Sequence, residues 1–311
     1  MGRAQQIVRP GVDVLNARAN AVIHRLATIV EPKALSSPRW RRPILIIAAA
    51  GFALGILLSL RAQPDAFDNV AWLPLCLLAF AAVPATIALN ALEFQLSARL
   101  IGHEIGFGSA VKTTIIGGVA NMLPLPGGTI VRVAALKAAG ATLGSGTSVT
   151  LFVALMWFGA AFAYSGLWLA ILDQPALGYA LLIVGVLILL ACVLITRRLA
   201  GGSLVTYQLI AAKIGLVLID AIRIHLCFEA LDVASTFGQA SVLTVASILG
   251  ASVSIVPAGL GVREGASALI GPLVGLAAAS AYLSSSLNRI VGLAVSGPVA
   301  LALIAWKRPG R

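Results

Sequence analysis

Charge is scarce in this 311-residue chain: Asp, Glu, Lys and Arg together make up 11% of it, against about 25% in a typical soluble domain. With 59% apolar residues and a mean hydropathy of +1.00, a water-soluble globular fold is excluded and an integral membrane protein is indicated. Cysteine is equally sparse. Cys76, Cys192 and Cys227 each fall inside an apolar run without metal-ligand spacing, so they read as buried, unpaired thiols. The sequence has no P-loop and no H-E-x-x-H, and its GLGVREG stretch contains G-x-G but not G-x-G-x-x-G and follows no expected strand. ATP-driven transport by this chain alone, a zinc hydrolase and a dinucleotide fold are therefore disfavoured, and no cofactor or metal is expected. A removable leader is not expected either, because the first apolar run begins only after 42 residues and lacks a small-residue cleavage site.

What remains is a series of long apolar runs. Those starting at Pro43, Val70 and Ala176 reach the roughly 20 residues that a helix needs to cross the hydrocarbon core. The formal net charge of +11 is concentrated at the ends: eight basic residues lie in positions 1–42, and Lys307, Arg308 and Arg311 follow the last run. That distribution fits cytoplasmic termini beside an anionic leaflet and argues against nucleic acid as a partner. Val8 to Val30 reads as an amphipathic helix on the membrane surface or as a basic tail.

From a cytoplasmic start, six full spans keep the charges consistent: 43–60, about 70–98, about 147–171, 176–196, about 204–231 and about 276–303. Trp40 and Trp306 would mark the inner interface, and Trp72 and Trp168 the outer one. Gly51 and Gly55 form a G-x-x-x-G expected to pack helices.

Two further apolar regions are interrupted. LPLPGG divides 109–139, and VPAGLG divides 241–273, into pieces too short to cross alone, as in re-entrant hairpins. PGGTIVR and PAGLGVR share P-x-G-x-x-V-R at a constant offset of 131 positions. The expected architecture is an all-α polytopic membrane protein with about six transmembrane helices and two re-entrant broken hairpins in an inverted repeat. Repeat one covers about 70–171 and repeat two about 204–303, within a transmembrane domain over 43–306. Discontinuous helices in such repeats usually meet near the midplane at a substrate site.

A break at membrane depth leaves backbone groups that must be buried in protein or line a wet cavity. Pro126, Gly127 and Gly128 in the first break, and Pro257, Gly259 and Gly261 in the second, would open half-helices whose N-termini carry Arg132 and Arg263 one to two turns inside. That combination suits a phosphate or carboxylate. Glu264 would orient Arg263; alternatively, Arg263 pairs with Glu264 or another membrane acid for structural reasons alone. Asn288 and Arg289 fall mid-span on the last helix, where an Arg costs about 2.5 kcal/mol or more unless it faces a cavity. Phe158 is the repeat counterpart of Arg289, so an asymmetric pocket is expected. On the fifth span, Lys213, Asp220 and Arg223 share one side, with His225 and Glu229 near the other. Asp220 and Arg223 could form a structural ion pair, or Asp220 or Glu229 could carry protons.

These paired breaks, the VPAGLGVREG stretch and the central Arg289 resemble the lysylphosphatidylglycerol synthase transmembrane-region family, the flippase-like module of multiple peptide resistance factors. The resemblance covers about 43–306. It implies a multi-pass protein of the bacterial inner membrane that moves a phosphate-bearing lipid between leaflets. Stand-alone members are linked to other lipids, including hopanoids and glycolipid precursors. The soluble aminoacyl transferase domain is not expected within a chain ending at Arg311. Thr129 and Ile130 stand where many members carry an acidic residue, which shifts the expected cargo from a cationic to an anionic headgroup. Two other classes stay open: a membrane enzyme acting on a lipid phosphate with Glu264 or Asp220 as base, and a noncatalytic partner of a lipid-modifying enzyme.

Overall fold

The computed structural model describes residues 38–121, 127–200, 204–252 and 259–306. The expected surface helix over 8–30, Pro126, Pro257 and the tail over 307–311 lie outside them. Every regular element among the described residues is helical, as lipid requires of a chain that must satisfy its own backbone. Helix α1 is Pro38–Ala62 and α2 is Trp72–Leu100. The first interrupted region forms α3, Phe107–Ala120, and α4, Gly127–Ala138. Then come α5, Leu143–Ile171, α6, Pro175–Ala200, and α7, Leu204–Ala230. The second interrupted region forms α8, Phe237–Val242, α9, Thr244–Ser252, and α10, Val262–Ile270, before the last helix, α11, Ala278–Trp306.

Five of these helices (α1, α2, α5, α6 and α11) are long and apolar enough to cross a membrane. The sixth expected span, α7, forms over 27 residues. Its Lys213, Asp220, Arg223 and Glu229 make it more polar than the other five, and they are the reason it matters below.

Local sequence explains the joints. Within α2, Pro84 lacks the N–H that would continue the ladder, and the turn before it, Leu78–Ala82, loosens to π geometry. Thr142 caps α5 by accepting from the Ser145 N–H at 3.1 Å. Thr236 and Gln239 exchange side-chain and backbone hydrogen bonds as a capping box on α8. Small residues set the closest packing. Gly159 and Gly166 on α5 face Gly178 and Gly185 on α6: a Cβ on Gly166, Gly178 or Gly185 would run into the backbone of the other helix, and one on Gly159 would crowd the Ile188 and Leu189 side chains.

One apolar cluster joins Phe94 on α2, Leu136 on α4, Met156 on α5 and Leu209 on α7; another joins Ile224 and Phe228 on α7 to Val242 and Leu243. Helix α1 is peripheral. It touches α11 where the Tyr282 hydroxyl donates to the Phe52 carbonyl at 3.1 Å and Gln63 and Ser280 bond mutually. The G-x-x-x-G pair divides in role: Gly55 lies under the Tyr282 ring, as packing requires, whereas nothing stands within 4 Å of a Cβ at Gly51. Trp72 is 72% exposed, but Trp168 packs edge-on against Phe237 inside the bundle.

Candidate functional site

Thr86, Asn90 and Glu93 recur at four- and three-residue spacing, so α2 presents them on one face. Lys213, Asp220 and Arg223, at seven- and three-residue spacing, share one face of α7. Between these helices the two interrupted regions insert Arg132 from α4 and Arg263 from α10, and α11 adds Asn288 and Arg289. Together they line a cavity of about 640 Å³, within the usual range of ligand sites. Gly128, Thr129, Asn121 and Gly259 border it, and Trp157 and Phe158 form an apolar wall. Phe158 lines the cavity on α5 and its repeat counterpart Arg289 lines it on α11, so the two repeats contribute unlike side chains.

Each interrupted region delivers its arginine to an acid on the long helix before it. Arg132 Nη1 lies 3.0 Å from Glu93 Oε1, and Lys213 Nζ lies 2.9 Å from Glu93 Oε2. Glu93 is 1% exposed, so it is a buried carboxylate shared by two cations. Arg263 Nη2 lies 3.1 Å from Asp220 Oδ1, and Ser247 donates to Asp220 Oδ2 at 2.5 Å. A third pair joins α10 to α11: Arg289 Nε donates to Glu264 Oε1 at 2.6 Å, and Arg289 Nη2 donates to the Gly259 carbonyl at 3.2 Å.

These pairings correct two expectations. Glu264 orients Arg289, not Arg263. Adjacent residues on α10 project about 100° apart and do not face each other, so Arg263 turns to Asp220 and Glu264 to α11. Asp220 likewise pairs with Arg263 and not with Arg223. Arg223 instead reaches Thr86 Oγ1 at 3.4 Å and the Asn288 carbonyl at 3.3 Å. Glu229 is outside the cavity, exposed and 3.5 Å from His225 Nε2.

The backbone donors expected at the half-helix starts are engaged by the protein itself. The Gly128 N–H donates to Asn121 Oδ1 at 2.7 Å, and the Gly261 N–H donates to Glu264 Oε2 at 2.9 Å. Gly261 has φ +80°, a conformation that favours glycine. It borders a separate apolar groove of about 380 Å³ with Gly51, Leu260 and Tyr282. Gly127 and Gly259 serve close approach: a Cβ on Gly127 would meet the Ala120 carbonyl, and one on Gly259 would meet the Gly250 backbone. On each side of a break the described helix ends thus approach at a distance that only glycine allows.

Glu93 was the principal residue missing from the sequence reading, although a lone acid in the apolar run 70–98 is a signal in itself. Asn121 and Ser247 carried no such signal, being ordinary polar residues whose roles arise only where helices cross.

Among the described residues five cations border the cavity (Arg132, Lys213, Arg223, Arg263 and Arg289) against two carboxylates, Glu93 and Asp220, with Glu264 a third that pairs with Arg289. The balance is positive. Four buried polar atoms on the lining, Thr114 Oγ1, Arg223 Nε, Arg263 Nε and Asn288 Oδ1, have no hydrogen-bond partner in the protein. Buried polar groups normally find partners; the two arginine Nε atoms are donors without an acceptor, and Asn288 Oδ1 is an acceptor without a donor. Among the described residues no cluster of three His, Cys, Asp or Glu could hold a metal ion. Compared with protein-family models and with curated protein sequences, the chain matches none.

Proposed function

We propose that this protein is a lipid flippase or facilitated lipid transporter, moving a phosphate-bearing lipid between the leaflets of a bacterial inner membrane. The observation that carries this reading is the surplus of positive charge in a cavity between two interrupted helical regions of an otherwise apolar bundle. A cation at membrane depth is expensive and marks a route for polar groups, and discontinuous helices meeting at such a site are a transporter plan. About 640 Å³ suits a headgroup, with the acyl chains left in lipid. Arg132, Arg263 and Arg289 supply the attracting field, and rocking of the two repeats around the site would alternate its access.

This reading retains six spans, inverted repeats, cytoplasmic termini and membership of the lysylphosphatidylglycerol synthase transmembrane-region family. Thr129 borders the cavity where many members of that family carry an acid near the motif arginine, which favours an anionic headgroup over a lysylated one. The enzyme reading is weaker on chemical grounds. Asp220 is engaged by Arg263 and Ser247, and Glu264 by Arg289 and the Gly261 N–H; a carboxylate so engaged is a poor general base.

Leaflet exchange of headgroup-labelled phosphatidylglycerol in proteoliposomes tests the proposal. Exchange by the wild type that Arg132→Ala and Arg263→Ala abolish at matched reconstitution is the expected result. Absence of exchange with correctly folded wild type across anionic lipids would overturn it.

A further inference from the structure

The three arginines expected at the site are each already ion-paired: Arg132 with Glu93, Arg263 with Asp220 and Arg289 with Glu264. Lys213 shares Glu93. Arg223 differs from all of them. Among the described residues no carboxylate lies within 4.0 Å of its guanidinium. Its two hydrogen bonds are long, 3.4 Å to Thr86 Oγ1 and 3.3 Å to the Asn288 carbonyl, and both go to neutral oxygens. Its Nε is buried and unpartnered.

A guanidinium removed from water loses solvation that only an anion or several good acceptors can restore. Asp220, one turn earlier on α7, acts on it only from beyond 4.0 Å and is itself held by Arg263 and Ser247, so two weak contacts to neutral groups leave part of that loss uncovered. The Nε and one Nη of a guanidinium form an edge that matches two oxygens of a phosphate or carboxylate. On the same wall, Arg263 also has an unpartnered Nε, and its Nη2 is held by Asp220.

We propose that Arg223 is the direct anchor for the oxyanion of the ligand, with Arg263 Nε beside it as a second donor. The ion-paired arginines of the two motifs shape and charge the cavity around that anchor. The ligand class is a group with one or two negative charges on oxygen, as in a phosphodiester or phosphate monoester. This inference rests on the reading of the cavity as a headgroup site, but it concerns binding and is separable from transport.

The test is equilibrium binding to purified protein in an uncharged detergent, followed by tryptophan fluorescence, since Trp157 borders the cavity. The probes are dihexanoyl phosphatidylglycerol, glycerol 3-phosphate and inorganic phosphate. Binding of the lipid alone would assign the anion to a headgroup; binding of all three would assign it to free oxyanions as well. In either case Arg223→Gln should weaken affinity by about tenfold or more, without lowering thermal stability, because no carboxylate is left unpaired. Arg223→Lys should fall between them.

Should Arg223→Gln fail to fold, Gly292→Ala serves instead. Its new methyl would sit 3.0 Å from Arg223 Nη2, so the guanidinium must give way slightly with no change of charge, and affinity should fall. Unchanged affinity in the folded Arg223→Gln protein, or in Gly292→Ala where Arg223→Gln cannot be studied, would overturn the inference. So would failure of the wild type to bind any of the three probes. Arg223-dependent binding without leaflet exchange would defeat the transport reading alone; exchange indifferent to Arg223 would defeat this one alone.

Discussion

Arg263 donates to the Asp220 carboxylate at 3.1 Å, although Glu264 is its neighbour in the chain. Arg132, 131 positions earlier, reaches Glu93 at 3.0 Å in the same way. Each interrupted region is therefore fastened to the long helix that precedes it by a charge pair inside the bundle. Removing one member of such a pair should cost more than removing both.

Arg289→Met leaves Glu264, fully buried, with only the Gly261 N–H as a described partner. An uncompensated buried charge costs about 3–5 kcal/mol, so unfolding in detergent should shift to markedly lower temperature. Adding Glu264→Gln should recover at least half of the shift; no recovery would show that the pair is not what holds α10 to α11.

Glu93→Gln removes the carboxylate that serves both Arg132 and Lys213. Two cations are then left facing each other, whereas Lys213→Met still leaves Glu93 with Arg132. The expected order of stability is wild type, then Lys213→Met, then Glu93→Gln, measured by denaturant unfolding in detergent. The reverse order of the two variants would contradict the shared-carboxylate geometry.

Glycine substitutions separate close contact from open space. Gly259→Ala places a methyl against the Gly250 backbone at φ +62°, and Gly127→Ala places one against the Ala120 carbonyl. Each should lose about 1–3 kcal/mol by overpacking. Gly51→Ala meets nothing within 4 Å and should stay within about 0.5 kcal/mol of wild type.

The proposed inversion of the two repeats makes a topological prediction. Leu143, 64% exposed at the start of α5, and Ala234, exposed before α8, should face opposite sides of the membrane. Single cysteines at these positions, in a background without native cysteines, should react with impermeant maleimide from the cytoplasmic and external sides respectively. Labelling of both from one side would rule out the inversion.

The long helices were legible because a bilayer demands uninterrupted apolar length, and the chain supplies it at α1, α2, α5, α6 and α11. The two interruptions were legible because proline and glycine cannot hide in such runs. Partner choice was not. The Arg263–Glu264 adjacency suggested a pair, yet helical geometry turns the two side chains apart, and each finds its partner on a helix distant in sequence. Asp220 and Arg223, three residues apart on α7, could have met, but Arg263 approaches Asp220 from α10 instead. Expected backbone donors at Gly128 and Gly261 proved to be taken because Asn121 and Glu264 lie within local reach.

Where α5 and α6 meet, amides and carbonyls of the two helices stand as close as glycine permits, at Gly159, Gly166, Gly178 and Gly185. Surfaces interlocked at that distance cannot slide or swivel past each other without collision. The two helices therefore act mechanically as one beam. If the bundle alters shape during a working cycle, this beam travels whole, and the hinges must lie on lines where side chains, not backbones, make the contact.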